Sequence, residues 1–224
     1  MATKTVFESA YEGDFEILKL KLLEDNKRLT AVDDNCRMLI HWSSLGGHEE
    51  IVKYLLDHGS PVDPRDDTDM TPLILASSAG REKIVRLLIG HGANVNAVND
   101  GGHSSLQYAS SKGWKEIAEV LLLNHADINI ADNRGATPLH RAASKGNTAI
   151  VKLLLQHGSH LNIDAKDSSG NTPLHLACEE NRDEEARLLA TQGAQLDIKN
   201  KEGLTPLDLA SEALKRQLRY ISEP

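Results

Sequence analysis

Apolar residues recur along the chain as pairs that are separated by one polar or charged residue. Ile84-Val85 is followed by Leu87-Leu88, and Ile150-Val151 is followed by Leu153-Leu154. This spacing places the apolar side chains on one face of a helix. A shorter apolar segment precedes each of these patterns, so the chain is predicted to contain pairs of amphipathic helices.

One string begins the shorter segments, and its clearest copies read Thr-Pro-Leu-x-x-Ala. A threonine hydroxyl caps a helix, and proline at the first helical position gives up no needed N–H, so each string predicts a helix N-terminus. The degenerate copies of the string lack proline. When they are included, the repeats start at Thr5, Met38, Thr71, Ser104, Thr137, Thr172 and Thr205. Successive starts are 33 residues apart, except for one gap of 35.

Glycines and Asp-x-x-Gly sequences separate the predicted helices. A glycine in left-handed backbone commonly ends a helix. Such glycines are Gly47, Gly80, Gly113 and Gly146 after the first helices, and Gly59, Gly92 and Gly158 after the second. Asp132-Asn133-Arg134-Gly135 and Asp167-Ser168-Ser169-Gly170 predict tight turns before the next start. Each repeat is therefore predicted to be a β-hairpin finger plus two antiparallel helices.

The period and the Thr-Pro-Leu-His-x-Ala string resemble the ankyrin repeat. That resemblance implies an all-α repeat solenoid of seven ankyrin repeats, which we expect to form a single domain over residues 1–224. One repeat cannot bury its apolar face alone, but stacked repeats can.

The first and last repeats are expected to be caps. Lys19, Lys21 and Glu24 make the second helix of the first repeat polar, and the second helix of the last repeat is expected to be short and charged. The gap of 35 is expected to lengthen one finger near Asp164.

Composition excludes several classes of function. The chain is 40% hydrophobic and 26% charged, so it can bury a core. Its net charge of −8 argues against nucleic acid or an anionic membrane as the main target. No apolar run is long enough to span a membrane, and the start Met-Ala-Thr-Lys does not resemble a signal peptide. Cys36 and Cys178 cannot form a disulfide framework, so we expect a cytoplasmic protein that also occurs in the nucleus.

Ten histidines invite a metal or catalytic interpretation, but six of them recur at two positions of the repeat, and His58, His91 and His157 share the one near the end of the second helix. Three of them, His41, His140 and His175, occupy the Thr-Pro-Leu-His position. There the imidazole is expected to satisfy backbone groups of the neighbouring repeat. The sequence does not contain His, Cys or carboxylate residues at metal-ligand spacing. It also contains no phosphate-binding loop and no nucleophile elbow. The sequence therefore predicts a protein without catalysis, metal or cofactor.

Partner binding is expected where the repeat pattern is free to vary, at the finger tips, before each start and in the last turn of each first helix. In this architecture those positions face the concave side. The candidates are Asp34, Arg37, Asp67, Asp69, Met70, Lys112, Arg134, Lys145, Glu179 and Glu180. Net charge is −4 in residues 38–103, +1 in 104–171 and −3 in 172–224. This gradation suits a folded partner of complementary charge, and the alternative is a merely solvated charged face.

Leu176, Cys178 and Glu180 form a Leu-x-Cys-x-Glu string, a form that binds retinoblastoma-type pockets when it is extended. Here it lies on a predicted first helix, where Cys178 takes a small packing position. We therefore expect Leu176 and Cys178 to be packed, and Cys36, on a finger, to be an exposed thiol.

The order of repeats resembles the gankyrin family, the ankyrin-repeat chaperones of the 26S proteasome. The strings that carry the resemblance are Ala10-Tyr11-x-Gly13, His41-Trp42, Asn94-x-Asn96-Ala97-Val98-Asn99, Gly170 to Cys178, and Glu184-Glu185-Ala186 before Leu188-Leu189. The family implies a concave face that holds the C-terminal domain of a base ATPase while the regulatory particle assembles. Matching contact positions would be Arg37, Asp67 and Lys112.

The same resemblance implies links to a retinoblastoma-like protein, a cyclin-dependent kinase and a ubiquitin ligase, and we expect a monomer. This chain departs from the pattern at Ser104-Ser105-Leu106-Gln107, which replaces Thr-Pro-Leu-His. The alternative function is that of a generic ankyrin adaptor or kinase inhibitor with another partner.

Overall fold

The computed structural model describes residues 4–157 and 160–222, and regular structure in these ranges is helical. The predicted Gly158 lies outside them. The α-helices are α1 (Val6–Glu12), α2 (Phe15–Glu24), α3 (Leu39–Gly46), α4 (Glu49–Asp57), α5 (Pro72–Ser78), α6 (Glu82–Gly90), α7 (Ser105–Lys112), α8 (Lys115–Leu123), α9 (Pro138–Lys145), α10 (Thr148–Gln156), α11 (Pro173–Glu179), α12 (Asp183–Thr191), α13 (Pro206–Leu209) and α14 (Glu212–Ser222). A 3₁₀ helix spans Asn26–Leu29.

The helices begin and end where the repeat strings predict. A threonine hydroxyl accepts a backbone N–H at the start of α1, α5, α9, α11 and α13, and proline opens the last four of these helices. The predicted glycines after the first helices all have positive φ, between 72° at Gly80 and Gly146 and 91° at Gly47. The expected two-helix repeat is therefore confirmed.

The fingers are turns rather than ladders of paired strands. In the described ranges the single isolated β-bridge joins Val98 and Ser104. Each finger is instead closed by one backbone hydrogen bond across four residues, as between Asp66 N–H and the Met70 carbonyl at 3.1 Å. The predicted β-hairpin is thus reduced to its closing turn.

The chain divides into two compact units, and the first consists of Met1–Ser105 and Leu123–His125. In this unit α1, α3 and α5 pack side by side, and α2, α4 and α6 each pack against the first helix of their own repeat. Fully buried Leu18, Ile40, Leu55 and Leu73 form part of its core. Burying such a side chain contributes roughly 1.5–3 kcal/mol.

The outer side of α2 is less polar than predicted. Lys19 and Lys21 are half-buried. Ile17, Leu20 and Leu23 are instead exposed, by 43%, 61% and 71%. These three residues are spaced three apart, so they form one apolar stripe along the helix.

The second unit consists of Leu106–Leu122 and Ala126–Pro224. Here α9, α11 and α13 form one row, and α10, α12 and α14 form the other. The expectation of a short second helix in the last repeat is wrong. It is α13 that is short, with 4 residues, whereas α14 has 11. Leu214 and Leu218 of α14 are fully buried, so this helix closes the core of its unit.

The two extra residues of the long repeat do not lengthen its finger. Asp164 lies three residues before the finger residue Asp167, and its Oδ1 accepts Gln195 N–H at 3.1 Å. Asp63, three residues before Asp66, accepts Asn94 N–H in the same way at 2.8 Å. The register is therefore regular from Asp164 onward, and the extra length lies earlier, after α10.

Polar side chains at the start of the second helices connect successive repeats. In the first unit His48 Nε2 contacts the Tyr11 carbonyl at 2.7 Å, and Arg81 Nε donates to the Leu45 carbonyl at 3.1 Å. In the second unit Asn147 Nδ2 donates to Ser110 O at 2.7 Å, and Arg182 Nε to Ser144 O at 3.2 Å. These donors satisfy carbonyls at the C-termini of the preceding first helices, which otherwise lack partners.

Candidate functional site

Each described finger is built around one Asp or Asn that lies five residues before the repeat start. One side-chain oxygen accepts the backbone N–H groups two and four residues later, as Asp66 Oδ1 does from Thr68 and Met70, both at 2.9 Å. The residues in this position are Asp33, Asp66, Asn99, Asp132, Asp167 and Asn200. This local bonding is the ordinary preference of Asp and Asn in turns, and it fixes the finger tip.

Neighbouring finger tips are also joined through their backbones. In the first unit Asp67 N–H donates to Asn35 O at 3.0 Å, and Asp100 N–H donates to Thr68 O at 3.1 Å. In the second unit Ser168 N–H donates to Arg134 O at 2.7 Å. Side chains at the tips are therefore presented from a connected backbone.

Arg37 lies in a buried polar cluster of the first unit. Its Nε donates to Asp66 Oδ2 at 2.8 Å, and its guanidinium lies 5.0 Å from the Trp42 ring centroid. The Trp42 indole N–H donates in turn to Asp33 Oδ2 at 2.8 Å. The Asp66 side chain is 0% exposed and the Arg37 side chain 20%. Burial alone would raise the pKa of Asp66, but hydrogen bonds from Arg37 and Thr68 outweigh it and hold this pKa below its usual value.

The second unit contains a related pair. Arg141, on α9, forms an ion pair with Asp132, whose side chain is 1% exposed. Burial of Asp132 opposes ionisation, and the hydrogen bond from Arg141 overcomes it, so the pKa of Asp132 is lowered. Both buried finger aspartates therefore bind an arginine and carry a negative charge at neutral pH.

In three repeats the residue just before the repeat start is bonded to the following finger. Arg37 pairs with Asp66, Asn99 Nδ2 donates to Met70 Sδ at 3.4 Å, and Asn200 Nδ2 donates to Asn171 Oδ1 at 2.8 Å. All three contacts span 29 residues. Sequence reasoning missed this connection, because it treated Arg37 only as a variable position available to a partner. Met70 is only 8% exposed and offers little surface to a partner.

The other candidates in the first unit are exposed. Asp34, Asp67 and Asp69 project from finger tips. Asp69 has left-handed backbone, with φ of 60°, and its Oδ1 lies 3.4 Å from Arg65 Nη1. These finger tips therefore present an acidic surface.

The candidates in the second unit are also exposed. Lys112 and Lys145 are the last residues of α7 and α9, and Arg134 lies at a finger tip. Glu179 ends α11 and Glu180 caps it. Positive charge at a helix C-terminus complements the helix dipole, so Lys112 and Lys145 each stabilise the end of their own helix.

The histidine interpretation is confirmed in both units. His41 Nε2 contacts Pro64 O at 3.0 Å and Met70 O at 3.2 Å, and His140 Nε2 contacts Asn171 O at 3.0 Å. Burial lowers the pKa of His41, His140 and His175. In the fourth repeat, which departs from the Thr-Pro-Leu-His string, Gln107 Nε2 donates to Ala136 O at 2.6 Å. A glutamine amide therefore replaces the imidazole.

The Leu-x-Cys-x-Glu string is helical rather than extended. Cys178 is fully buried in α11, and burial raises the pKa of its thiol to about 12. Leu176 is half-buried, and Glu180 is exposed. The predicted packing of Cys178 is confirmed, and Cys36 is exposed as expected.

A search of the described residues finds no group of three or more His, Cys, Asp or Glu side chains arranged to hold a metal ion. In the same ranges no helix has the length and apolar character needed to cross a membrane.

Comparison with known proteins agrees with the repeat architecture. Residues 6–99 and 91–167 match ankyrin repeats (3 copies), and residues 154–210 match ankyrin repeats (many copies). Among solved structures, the human ASB11 ankyrin repeat domain superposes with a TM-score of 0.86 at 28% identity and covers 99% of each chain. The ankyrin repeat domain of Bcl-3, a member of the IkappaB family, gives 0.83 at 25% identity, over 97% of this chain and 99% of that one.

Among curated proteins, the chain is 47% identical over 63 residues to the 26S proteasome non-ATPase regulatory subunit 10 of Homo sapiens. It is 46% identical over 63 residues to the Mus musculus protein of the same name. The aligned segment covers 28% of this chain, 28% of the human protein and 27% of the mouse protein. The similarity thus spans less than a third of those relatives.

Proposed function

Because the chain belongs to the ankyrin-repeat family, we propose that it is a non-catalytic protein-binding scaffold that assists assembly of the 26S proteasome regulatory particle. Its partner would be the C-terminal domain of a base ATPase subunit, held by the concave face of the repeats. The partial similarity to regulatory subunit 10 supports the proteasome connection. The alternative remains an ankyrin adaptor or kinase inhibitor for another partner.

The arrangement around Arg37 is the observation that carries the proposal. Its Nε atom donates to buried Asp66, and the guanidinium lies against the Trp42 ring. A guanidinium held in this way can donate to a partner carboxylate with little further loss of side-chain entropy.

The exposed charges of each unit support selective binding. Asp34 and Asp67 in the first unit would attract basic groups of the ATPase domain. Lys112, Arg134 and Lys145 in the second unit would attract acidic groups. Such charges set specificity and association rate more than affinity, so the partner should carry complementary charge for each unit.

The test is binding to the isolated C-terminal domains of the base ATPases, measured by isothermal titration with the full chain. We expect one of these domains to bind. Changing Lys112→Glu and Lys145→Glu together should weaken that binding at least tenfold, which corresponds to about 1.4 kcal/mol. Raised salt should also weaken it.

The control exchanges an ion pair on another helix. Lys115 and Glu119 lie 2.9 Å apart on α8, so Lys115→Glu with Glu119→Lys keeps the pair and reverses its direction. Equal weakening by this control would exclude the charged surface as the binding site. If no base ATPase domain binds the unaltered chain, the assembly role is wrong and the adaptor alternative is favoured.

A further inference from the structure

An open groove of about 500 Å³ lies between α12 and α14 in the second unit, away from the residues considered above. Its lining consists of Arg187 from α12 and Arg216, Gln217, Tyr220 and Ile221 from α14. Tyr220 is 80% exposed. The tyrosine ring, Ile221 and the arginine stems supply apolar surface, and the two guanidinium groups supply charge.

The groove between α10 and α12, one repeat earlier, contains an ion pair that the described residues of the groove between α12 and α14 lack. Between α10 and α12, Lys152 Nζ lies 2.9 Å from Glu184 Oε1. Arg187 occupies the repeat position of Lys152, fifteen residues after the start, and Gln217 occupies that of Glu184, twelve after it. Arg187 Nη1 donates to Gln217 Oε1 at 2.8 Å. The contact is therefore preserved, but its carboxylate has become a neutral amide.

Arg216 adds a second positive charge to the same groove. Its Nε donates to the Glu212 backbone carbonyl at 3.2 Å, whereas the Glu212 carboxylate pairs with Lys215 at 2.9 Å. Over residues 4–157 and 160–222, neither Arg187 nor Arg216 forms an ion pair with a carboxylate. This groove is therefore cationic in a chain whose net charge is −8.

We infer that this groove binds an acidic peptide segment of a protein partner. A carboxylate of the segment accepts hydrogen bonds from Arg187 and Arg216, which suit planar, bidentate recognition. A large apolar side chain next to that carboxylate packs on Tyr220 and Ile221. Arginine and tyrosine, like tryptophan, are enriched at the energetically dominant positions of interfaces.

The probe is a fluorescein-labelled peptide, Gly-Asp-Glu-Leu-Phe-Asp-Glu-Gly, titrated with the full chain and followed by fluorescence anisotropy. A second peptide carries Asn and Gln in place of Asp and Glu. We expect saturable binding of the acidic peptide and at least tenfold weaker binding of the amide peptide. Binding should also weaken as salt rises, because exposed charges are screened.

Two variants test the groove itself. Arg187→Gln with Arg216→Gln removes both charges, and Gln217→Glu supplies the carboxylate that the preceding groove already has. Each should weaken binding of the acidic peptide at least tenfold. Glu184→Gln is the matched control, since it changes the equivalent position of the other groove, and it should alter binding less than twofold. Circular dichroism checks that every variant is folded.

The proposal is overturned if the acidic peptide fails to bind, or binds no better than its amide counterpart. It is also overturned if Gln217→Glu leaves binding unchanged or Glu184→Gln weakens it as much. Sedimentation velocity tests whether a second copy of the chain occupies the groove instead. Self-association that Gln217→Glu abolishes would assign the groove to that second copy and overturn the proposal.

Discussion

Replacing His140 by glutamine separates the structural role of the buried histidines from their titration. His140 Nδ1 accepts Thr137 N–H at 3.1 Å, and Nε2 faces Asn171 O at 3.0 Å. Because Nδ1 is an acceptor, the proton of the neutral ring lies on Nε2 and is donated to the carbonyl. Gln107 makes the corresponding bond with its amide. His140→Gln should therefore keep the contact between repeats while removing the titratable group.

The cost at pH 7.5 follows from the contacts that each variant removes. His140→Gln keeps an acceptor for Thr137 N–H, since a glutamine at this helix position accepts it through Oε1, so its cost should be at most about 1 kcal/mol. His140→Ala loses the bonds to Thr137 N–H and Asn171 O and leaves a cavity at a fully buried site. Its expected cost is roughly 2–4 kcal/mol. Since 1 kcal/mol is a measurable part of a domain's stability, the two variants should be clearly distinguishable.

The pH dependence has a definite sign. Burial lowers the pKa of His140, so below the unfolded value of about 6.5 the unfolded chain takes up a proton that the folded chain does not. The free energy of unfolding must then fall as pH drops below that value. Protonation would also place an N–H on Nδ1 against Thr137 N–H. His140→Gln should lose less stability than the unaltered chain between pH 7.5 and 5.5.

Urea unfolding followed by circular dichroism at both pH values measures this difference. His157→Gln is the control, since His157 is an exposed cap of α10 and undergoes the same substitution. At pH 7.5 it should change the free energy of unfolding by less than about 0.5 kcal/mol, as substitutions at exposed positions usually do. The reasoning is refuted if His140→Gln loses as much stability as the unaltered chain between the two pH values, or if His140→Ala is no less stable than His140→Gln at pH 7.5.

Three further substitutions or modifications test separate contacts. Cys36 should react with a thiol reagent at least a hundredfold faster than Cys178, because only Cys36 is exposed; similar rates in a mass-spectrometric time course would contradict this. Arg37→Glu should cost roughly 3–5 kcal/mol in urea unfolding, since it leaves buried Asp66 facing another carboxylate, and Arg37→Gln should cost less. Glu185→Ile should stabilise the chain by about 1 kcal/mol, because a 4% exposed glutamate occupies the position of Ile51, Ile84, Ile117 and Ile150, and apolar burial outweighs the lost hydrogen bond from Thr148; a lower melting temperature would argue against it.

The fold was largely predictable from sequence because its signals are local and repeated. Threonine caps, proline at the first helical position and left-handed glycines each act within a few residues, so their spacing predicts helix ends. The last repeat was the exception. Leu214 stands where a glycine was expected, but α13 ends at Leu209 and Leu214 belongs to the interior of α14. In this repeat the longer helix α14 covers the end of the core. No local sequence pattern predicts this length.

The candidate site was predictable only where side chains act alone. Exposure of Asp34, Asp67, Lys112 and Lys145 follows from finger tips and helix ends. The bonds of Arg37 and Met70 join residues 29 positions apart, so they depend on how one repeat lies on the next. Single-sequence reasoning identifies these positions as variable, yet it cannot show which second residue each one meets.

This connection changes where specificity for a partner can reside. Arg37, Met70 and Asn171 each precede a repeat start, and each is bonded to the Asp or Asn of the next finger. A substitution at one of these residues changes both the stability of the chain and the position of the next finger. Such a residue therefore cannot be exchanged to suit a partner without also affecting the fold. Asp67 on a finger tip and Lys145 in the last turn of a first helix are exposed and project from backbone that other groups hold. Charges such as Asp67 and Lys145 can therefore be exchanged without loss of the fold, and the choice of partner should be encoded there.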